Sequence, residues 1–299
     1  MRLAMKILLI ANGGNHRVVD ALYQTIAYLD AQGIEHVDID VADIPDAAFP
    51  YADQPLSSID ERLDQSIDMI VTMGGDGTLI HSARLAYVLD VPILGANYGH
   101  LGFLTNLAEN GVIPLLADAL SDEIVHEDRV NLCIDVECEG DELQPPTTPR
   151  RFFALNEIAV ARGAAGHIVD FSFAVSGDTI AKMRGDGLVI STATGSTAYA
   201  LSAGGPLVGP LHRGMIVVPL VPHTLNSRAI VTEHHDVVEM SFEEGSASAR
   251  EVALFADGDA LEFERPVSRV IVRAGERPIR LMTRREETFY KQIAHTFFK

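Results

Sequence analysis

Residues 74–78, GGDGT, combine glycines with a carboxylate and a hydroxyl where the chain passes from a predicted strand to a predicted helix. The apolar run Met69–Met73 is typical of a buried parallel strand, and Leu79–Leu89 is typical of a helix. Such a turn offers an anion free backbone N–H groups and the positive end of the helix dipole, and glycines let phosphate oxygens come close. A tight turn in which Asp76 caps the helix is the structural alternative.

Asp76 distinguishes this turn from a simple phosphate cradle. A carboxylate beside a phosphate is repelled unless a divalent cation bridges the two groups, or unless the carboxylate takes a proton from an attacking hydroxyl. Both arrangements belong to phosphoryl transfer, so the turn predicts that reaction class.

A second glycine- and hydroxyl-rich turn lies within residues 184–206, where RGDG leads into a strand that ends at Thr192. The segment ATGSTAYALSAGGP follows and predicts a short helix that its Gly-Gly-Pro sequence stops. Ser196, Thr197 and Tyr199 would supply neutral hydrogen-bond donors. One turn of this kind is usually only a helix start, whereas two in one chain, each with a nearby Asp, favour a nucleotide site.

Three further polar positions stand out. Asn97 begins residues 97–104, NYGHLGFL, at the carboxyl end of a predicted parallel strand, where open α/β sheets bind ligands. A structural role for Asn97 is equally compatible with the pattern, and the apolar residues of the segment are expected in a domain interface.

Asn156 and Glu157 are adjacent in an apolar predicted strand, so at least one points to a core or a cleft. A ligand hydroxyl or a structural hydrogen-bond partner would satisfy it. Asp257 is predicted to lie in a hairpin turn, because Asp-Gly follows an apolar run.

The sequence predicts two domains of different architecture that carry these positions. The first part of the chain alternates strand and helix, which predicts a doubly wound parallel sheet. Its predicted elements are Lys6–Ala11, Val18–Leu29, His36–Ile39, Met69–Met73, Leu79–Leu89 and Pro92–Ala96. After Asp128, short alternating runs predict an antiparallel, sandwich-like domain. They are Val130–Cys138, Phe152–Ala161, Ile168–Val175, Val237–Phe242, Val252–Phe255 and Val267–Val272. Thr283–Phe298 predicts a last helix whose stripe of Phe289, Ile293 and Phe297 must dock.

Charge and composition exclude several classes of protein. The 299 residues suffice for two domains, and the net charge of −19 argues against a broad surface for nucleic acid or anionic lipid. No apolar run approaches the length that spans a bilayer, and the start of the chain does not read as a signal peptide, so a cytoplasmic protein is expected. Cys133 and Cys138 would face opposite sides of one strand, which predicts two reduced thiols and no zinc site.

Taken together, the motifs resemble those of the ATP-dependent NAD kinase family. The resemblance has four parts in the family's order, at residues 74–78, 97–104, 155–157 and 186–206, and PHTL at 222–225 and Asp257-Gly258 also fit. GGDGT is shared with lipid kinases, whereas the long TGSTAY block is far more specific. Ala193 departs from the family, which usually has proline before that block.

The resemblance implies that ATP, with Mg²⁺ or another divalent cation, phosphorylates the 2′-hydroxyl of the adenosine ribose of NAD to give NADP. Asp76 would be the catalytic carboxylate, and Asn156 and Glu157 would hold NAD by ribose hydroxyls. The other residues expected at the substrates are Gly74, Gly75, Gly77, Thr78, Asn97, Arg184, Asp186, Thr194, Thr197, Ala198, Tyr199, Ser202 and Asp257.

The resemblance also implies a domain organisation. Residues 1–127 and 280–299 would form the α/β domain with GGDGT, to which the C-terminal segment returns, and residues 128–279 would form a β-rich NAD-binding domain. A homodimer or homotetramer would complete the sites near subunit contacts. The alternatives are a lipid kinase with the same GGDGT cradle and a non-catalytic dinucleotide-binding regulator, which would have no use for the carboxylate of Asp76.

Overall fold

The computed structural model describes residues 5–45, 56–99, 102–121, 123–146, 150–224, 226–284 and 288–298. These residues form two compact units. The first comprises the described residues up to Pro45, those between 56 and 129, and those from Pro278 onward; the second comprises those of Val130–Arg277. His100 and Leu101 of the 97–104 motif and Leu225 of the PHTL motif lie outside the described residues.

The first unit contains one sheet, and its strands are β1 (Lys6–Ala11), β2 (Glu35–Asp40), β3 (Met69–Gly74), β4 (Ile93–Asn97), β5 (Asn106–Leu107), β6 (Val125–Arg129) and the last strand of the chain, β19 (Ile279–Thr283). The order is β2-β1-β3-β4-β19-β6, and β5 pairs with β4. All pairs are parallel except β19 with β6. Parallel order follows from the alternation of strands and helices along the chain.

Helices cover both faces of this sheet, which confirms the doubly wound prediction. They are α1 (His16–Gln32), α2 (Asp76–Leu89), α3 (Val112–Leu120) and α6 (Phe289–Phe297), with 3₁₀ turns at Val41–Asp43 and Leu56–Ser58. α1 and α3 share a core with Ile7, Leu9 and Leu94, on one face. α2 packs on the opposite face, where Leu79 fills the space that a side chain at Gly95 would need.

The C-terminal segment returns to the first unit, as predicted, but not as one helix. β19 is inserted between β4 and β6, and α6 begins only at Phe289. The stripe of α6 docks only partly within the chain, because Phe289 and Ile293 are half-buried and Phe297 is 42% exposed. Phe289 and Phe297 do contact the ring of Phe103, with centroid separations of 6.0 and 6.2 Å.

The second unit consists of two antiparallel sheets of six strands each. Its strands are β7 (Leu132–Cys138), β8 (Arg151–Ala154), β9 (Glu157–Arg162), β10 (Val169–Val175), β11 (Asp178–Gly185), β12 (Gly187–Thr192), β13 (Met215–Leu220), β14 (Ile230–Val231), β15 (Val237–Ser241), β16 (Val252–Ala256), β17 (Asp259–Leu261) and β18 (Val267–Ala274). One sheet has the order β11-β10-β15-β18-β7-β8, and the other has β14-β13-β12-β9-β16-β17. Its helical segments are the 3₁₀ turn Thr194–Thr197, α4 (Tyr199–Ser202) and α5 (Ala247–Glu251).

The core of the second unit lies between the two sheets, which confirms the sandwich prediction. Ile134 and Val270 from one sheet belong to the same buried cluster as Val160 and Ile190 from the other. Cys133 and Cys138 are buried free thiols, as predicted. None of the helices in the described ranges combines the length and apolar character that crossing a bilayer requires.

One predicted strand of the second unit is wrong in a way that concerns the site. Phe152–Ala161 is not one strand but two, β8 and β9, which belong to different sheets. Leu155 and Asn156 form the link between them. The apolar pattern continues through the link because Leu155 is fully buried, so the sequence does not reveal where the chain changes sheets.

Candidate active site

The GGDGT turn opens α2 as predicted. β3 ends at Gly74, Gly75 is the N-cap residue in an extended conformation, and Asp76 is the first residue of the helix. A Cβ atom at Gly75 or Gly77 would meet no protein atom within 4 Å, whereas one at Gly74 would collide with Thr78. The first N–H groups of the helix have no partner within it, so the open space at Gly75 and Gly77 adjoins free donors that suit an anion.

The carboxylate of Asp76 is held by the loop that follows Gly102. It accepts hydrogen bonds from the backbone N–H of Phe103 (2.7 Å), the backbone N–H of Leu104 (3.4 Å) and the hydroxyl of Thr105 (2.7 Å). A carboxylate offers about four acceptor positions, so these bonds orient Asp76 and leave one position for a ligand hydroxyl or a cation.

Asn97 supports this arrangement from the end of β4, where its side chain is buried. Its amide group donates to the hydroxyl of Thr105 over 2.9 Å, and its amide oxygen accepts from the N–H of Gly99 over 2.7 Å. These contacts are structural, and they connect Asn97 to Asp76 through Thr105. Sequence reasoning missed Thr105, for which a hydroxyl directly after the NYGHLGFL motif was the available signal.

In the second unit, the backbone N–H groups of the link between β8 and β9 share a single carboxylate as their acceptor. The backbone N–H groups of Leu155, Asn156 and Glu157 all donate to Asp257, over 2.6, 2.7 and 3.0 Å. Asp257 and Gly258 have positive φ angles of 52° and 95° and form the predicted two-residue turn between β16 and β17. The hairpin thus reaches the link from the neighbouring strand.

The side chains of Asn156 and Glu157 are buried with unused acceptors. Each residue is 8% exposed, and Asn156 Oδ1 and Glu157 Oε2 have no hydrogen-bond partner in the described part of the protein. The pKa of Glu157 is raised to about 8, first by burial and then by the negative charge of Asp257, while the N–H of Tyr199 acts in the opposite direction. Buried polar atoms without partners are rare in native proteins, so this pair indicates a ligand.

The turn after β12 packs directly against this link. Thr192 donates to the Leu155 carbonyl through its hydroxyl (2.7 Å) and to the Asn156 carbonyl through its N–H (2.8 Å). Gly195 lies so close to the Asn156 carbonyl that a Cβ atom would collide with it. Ala193 has a φ of −59°, which lies within the range that a proline ring would impose.

The structure therefore brings most of the predicted residues of the second unit together. Glu157 receives the N–H of Tyr199, and Tyr199 begins the helix that ends at Ser202. Thr194 is buried and Tyr199 is 44% exposed. Thr197 and Ala198 are half-buried between them, and Ser202 is exposed. Tyr199 therefore lies beside Glu157, and the other four residues belong to the same turn and short helix.

Arg184 and Asp186 lie elsewhere. In the sheet register, Ser191 is opposite Glu157, whereas Gly187 is opposite Ala161. Asp186 is thus about 16 Å from Ser191 along the strand, at about 3.3 Å per residue. Asp186 forms an ion pair with Arg162 (3.5 Å), and Arg184 forms one with Asp170 (3.5 Å). Within one copy of the chain, these two residues do not join Asn156 and Glu157.

The donor set does not form a metal site on its own. No cluster of three or more His, Cys, Asp or Glu residues that could hold an ion occurs in the part of the chain that the structure describes. A cation at the cradle would need ligands from a bound nucleotide in addition to Asp76, whose one open acceptor position fits that arrangement.

Comparisons with known proteins agree with this arrangement of motifs. The sequence pattern of the ATP-NAD kinase N-terminal domain matches residues 5–124, and that of the ATP-NAD kinase C-terminal domain matches residues 155–283. The chain is 36% identical to an NAD kinase of Geobacter sulfurreducens over 228 residues, 76% of each chain. It is 29% identical to an NAD kinase of Chlorobium luteolum over 292 residues, 98% of this chain and 96% of that one.

Two solved structures share the fold. A yeast NADH kinase complexed with NADH superposes with a TM-score of 0.80 at 21% identity, covering 99% of this chain and 89% of that one. An NAD kinase from Archaeoglobus fulgidus in complex with ATP superposes with a TM-score of 0.65 at 23% identity, covering 94% and 95%.

Proposed function

The chain belongs to the ATP-NAD kinase family, and we propose that it transfers the γ-phosphoryl group of ATP to the 2′-hydroxyl of the adenosine ribose of NAD, giving NADP and ADP. The observation that carries the proposal is the pair of buried acceptors, Asn156 Oδ1 and Glu157 Oε2, which lack partners. The matches extend over both halves of the chain, so the lipid-kinase alternative, which depends on the GGDGT cradle alone, gains no support.

ATP is proposed to bind at the start of α2. The free N–H groups of the first helical turn would donate to its phosphate oxygens, and the open space at Gly75 and Gly77 admits them. Gly74 and Thr78 contribute to the shape of the turn, because the Thr78 side chain occupies the space that a side chain at Gly74 would need.

Asp76 is proposed to be the catalytic carboxylate. While the 2′-oxygen of NAD forms its bond to the γ-phosphorus, the bond from that phosphorus to the β–γ bridging oxygen breaks, and the hydroxyl proton passes to Asp76. The hydrogen bonds from Phe103, Leu104 and Thr105 hold the carboxylate still for this step and leave one acceptor position open. A divalent cation bound with ATP would neutralise charge on the phosphates.

NAD is proposed to bind at the second unit. Ribose hydroxyls are donors, and they match the two unpartnered oxygens of Asn156 and Glu157. Because the pKa of Glu157 is about 8, this group is largely protonated at pH 7 and can also donate to a ligand oxygen. Thr194, Thr197, Ala198, Tyr199 and Ser202 would form the rim of this pocket.

Arg184 and Asp186 are proposed to complete the site of a second copy of the chain. They lie at the far end of β12 from Ser191, yet Asp186 opens the 186–206 motif that resembles the family, and Arg184 lies two residues before it. A homodimer or homotetramer in the cytoplasm, in which each site takes these residues from a neighbour, accounts for both facts.

Incubation of the purified protein with NAD, ATP and Mg²⁺ tests the proposal directly. We expect NADP to accumulate in step with ADP, and we expect no phosphorylation of diacylglycerol vesicles. Binding of NAD without formation of NADP would instead support the non-catalytic regulator, and phosphorylation of the lipid would support the lipid kinase.

A further inference from the structure

The link between β8 and β9 must satisfy three consecutive backbone N–H groups where the chain leaves one sheet and enters the other. Leu155, Asn156 and Glu157 all donate to the same carboxylate, that of Asp257. Hydrogen bonds to an ionised acceptor are stronger than those between neutral groups. This carboxylate therefore fixes the backbone from which the side chains of Asn156 and Glu157 project.

Asp257 is itself fixed opposite the link. Its N–H donates to the Glu157 carbonyl over 3.0 Å, and the adjacent pair Ala256 and Ile158 belongs to the ladder between β16 and β9. Three of about four acceptor positions of its carboxylate are used by the link. The carboxylate of Asp257 thus makes three hydrogen bonds to consecutive groups of the protein backbone.

The same carboxylate places a negative charge beside Glu157. After burial, this charge is the second cause of the raised pKa of Glu157, and the backbone N–H of Tyr199 is the group that opposes it. Removal of the charge at Asp257 would make Glu157 easier to ionise, so the pKa of Glu157 would fall.

We propose that Asp257 is a positioning residue, which does not touch NAD but holds Asn156 Oδ1 and Glu157 Oε2 where they meet the hydroxyl groups of the bound substrate. This inference rests on the function proposed above and differs from the expectation that Asp257 binds the substrate directly. It assigns the hairpin of β16 and β17 a role in substrate affinity through the geometry of a strand that it contacts.

Steady-state kinetics of Asp257→Asn test this role. The amide replaces one acceptor oxygen by a donor, so at least one of the three bonds to the link is lost. We expect the KM for NAD to rise roughly tenfold, the equivalent of one hydrogen bond to a charged group, while the KM for ATP stays unchanged. Asp259→Asn removes a charge from the same hairpin but none of the three bonds from the link, and we expect wild-type values for it.

The pH profile of kcat/KM for NAD separates positioning from a merely structural role. One limb of this profile should report the ionisation of Glu157. That limb is identified with Glu157→Gln, in which it should disappear. In Asp257→Asn the same limb should move to lower pH. Asp257→Glu keeps the charge but displaces the carboxylate, so its KM for NAD should rise while the limb of the pH profile stays in place. If Asp257→Asn does not fold, Asp257→Glu is used to test the proposal.

Two outcomes would overturn the proposal separately from the function. A folded Asp257→Asn or Asp257→Glu protein with wild-type KM for NAD would show that the link holds its shape without Asp257, and an unmoved limb in Asp257→Asn would show that its charge does not act on Glu157. A wild-type protein that makes no NADP would instead refute the proposed function, and the positioning role with it.

Discussion

Gly102 leaves no room for a side chain because the carboxylate of Asp76 occupies that space: a Cβ atom there would approach it closer than 3.0 Å, which real Cβ atoms essentially never do. The same loop donates two backbone N–H groups and the Thr105 hydroxyl to Asp76. A glycine and a carboxylate from separate motifs therefore form one interlocked unit, and the position of the carboxylate depends on the loop.

Gly102→Ala should displace Asp76 and lower kcat roughly 100-fold, because a misplacement of about 1 Å at a reacting group has an effect of that size. Gly99→Ala is the matched control in the same segment, since its Cβ atom would make only an ordinary contact of 3.6 Å. Kinetics of both variants, with thermal unfolding as the check on folding, measure the effect. Equal kcat values for the two variants would mean that the loop adapts.

Asp76→Asn should keep the fold and lose nearly all turnover. The amide preserves the shape and part of the hydrogen bonding to residues 103–105, but it cannot take up the proton of the substrate hydroxyl. General-base assistance alone contributes roughly 10²–10⁴-fold in rate. A single-turnover assay with bound NAD and ATP gives the comparison, and activity within a few-fold of wild type would exclude Asp76 as the catalytic carboxylate.

Asn156→Ala should raise the KM for NAD far more than the KM for ATP. The Asn156 oxygen lacks a partner in the described protein, so its removal costs the fold little, whereas the lost hydrogen bond to a substrate hydroxyl costs about 0.5–1.5 kcal/mol. Ser202→Ala, at the exposed rim, should have a smaller effect. If the KM for ATP changes instead, the two substrates have been assigned to the wrong units.

Glu157 should make the protein less stable as the pH rises. Its pKa of about 8 in the folded protein lies above the unfolded value of about 4.3, so the folded state binds the proton more tightly. Between these values the unfolded chain has released a proton that the folded one keeps, so the free energy of unfolding falls as the pH rises through this window and levels off above about pH 8.

Thermal unfolding of wild type and Glu157→Gln across this pH range tests that sign. The two melting temperatures should be similar at pH 5, and Glu157→Gln should melt at the higher temperature at pH 8. Parallel curves would show that Glu157 ionises normally.

A mixture of Asp76→Asn and Asp186→Ala subunits should regain activity that neither variant has alone. If each site takes Asp186 from a neighbouring copy, a hybrid dimer contains one intact site and one doubly altered site. Random exchange at equal amounts would restore about a quarter of the sites. The rate of NADP formation is measured after the two variants have been refolded together, and size-exclusion chromatography establishes the oligomeric state. No recovery in a proven hybrid would place Asp186 at its own chain's site or at none.

The sequence predicted well those strands whose buried residues follow one another along the chain. β1 and β3 are continuous apolar runs next to glycine turns, and their bounds agree within a residue. β11 (Asp178–Gly185) was missed because it is an edge strand with mostly exposed or half-buried side chains and shows no apolar alternation. The sheet change at Leu155 and Asn156 was missed because the carboxylate that stabilises it, Asp257, lies 101 residues from Asn156.

The site residues that the sequence predicts are those that differ from their local surroundings. Asp76, Asn156 and Glu157 stand out locally, as a carboxylate among glycines and as polar residues in an apolar run. Their partners do not, because Thr105 is 29 residues from Asp76 and its role appears only when β3 and β4 are adjacent in the sheet. Residue type therefore indicates which groups do chemistry, and topology decides which groups hold them.

The place of β19 between β4 and β6 has a consequence for biosynthesis. During translation, β1 to β6 leave the ribosome long before Ile279–Thr283 exists, so until then the sheet of the first unit lacks the strand between β4 and β6. An unpaired strand edge is a template for wrong partners, and β4 carries the fully buried Ile93 and Leu94 at that edge. A chain cut short before Ile279 would carry every residue of the candidate site and still be unable to close the sheet that presents Asp76.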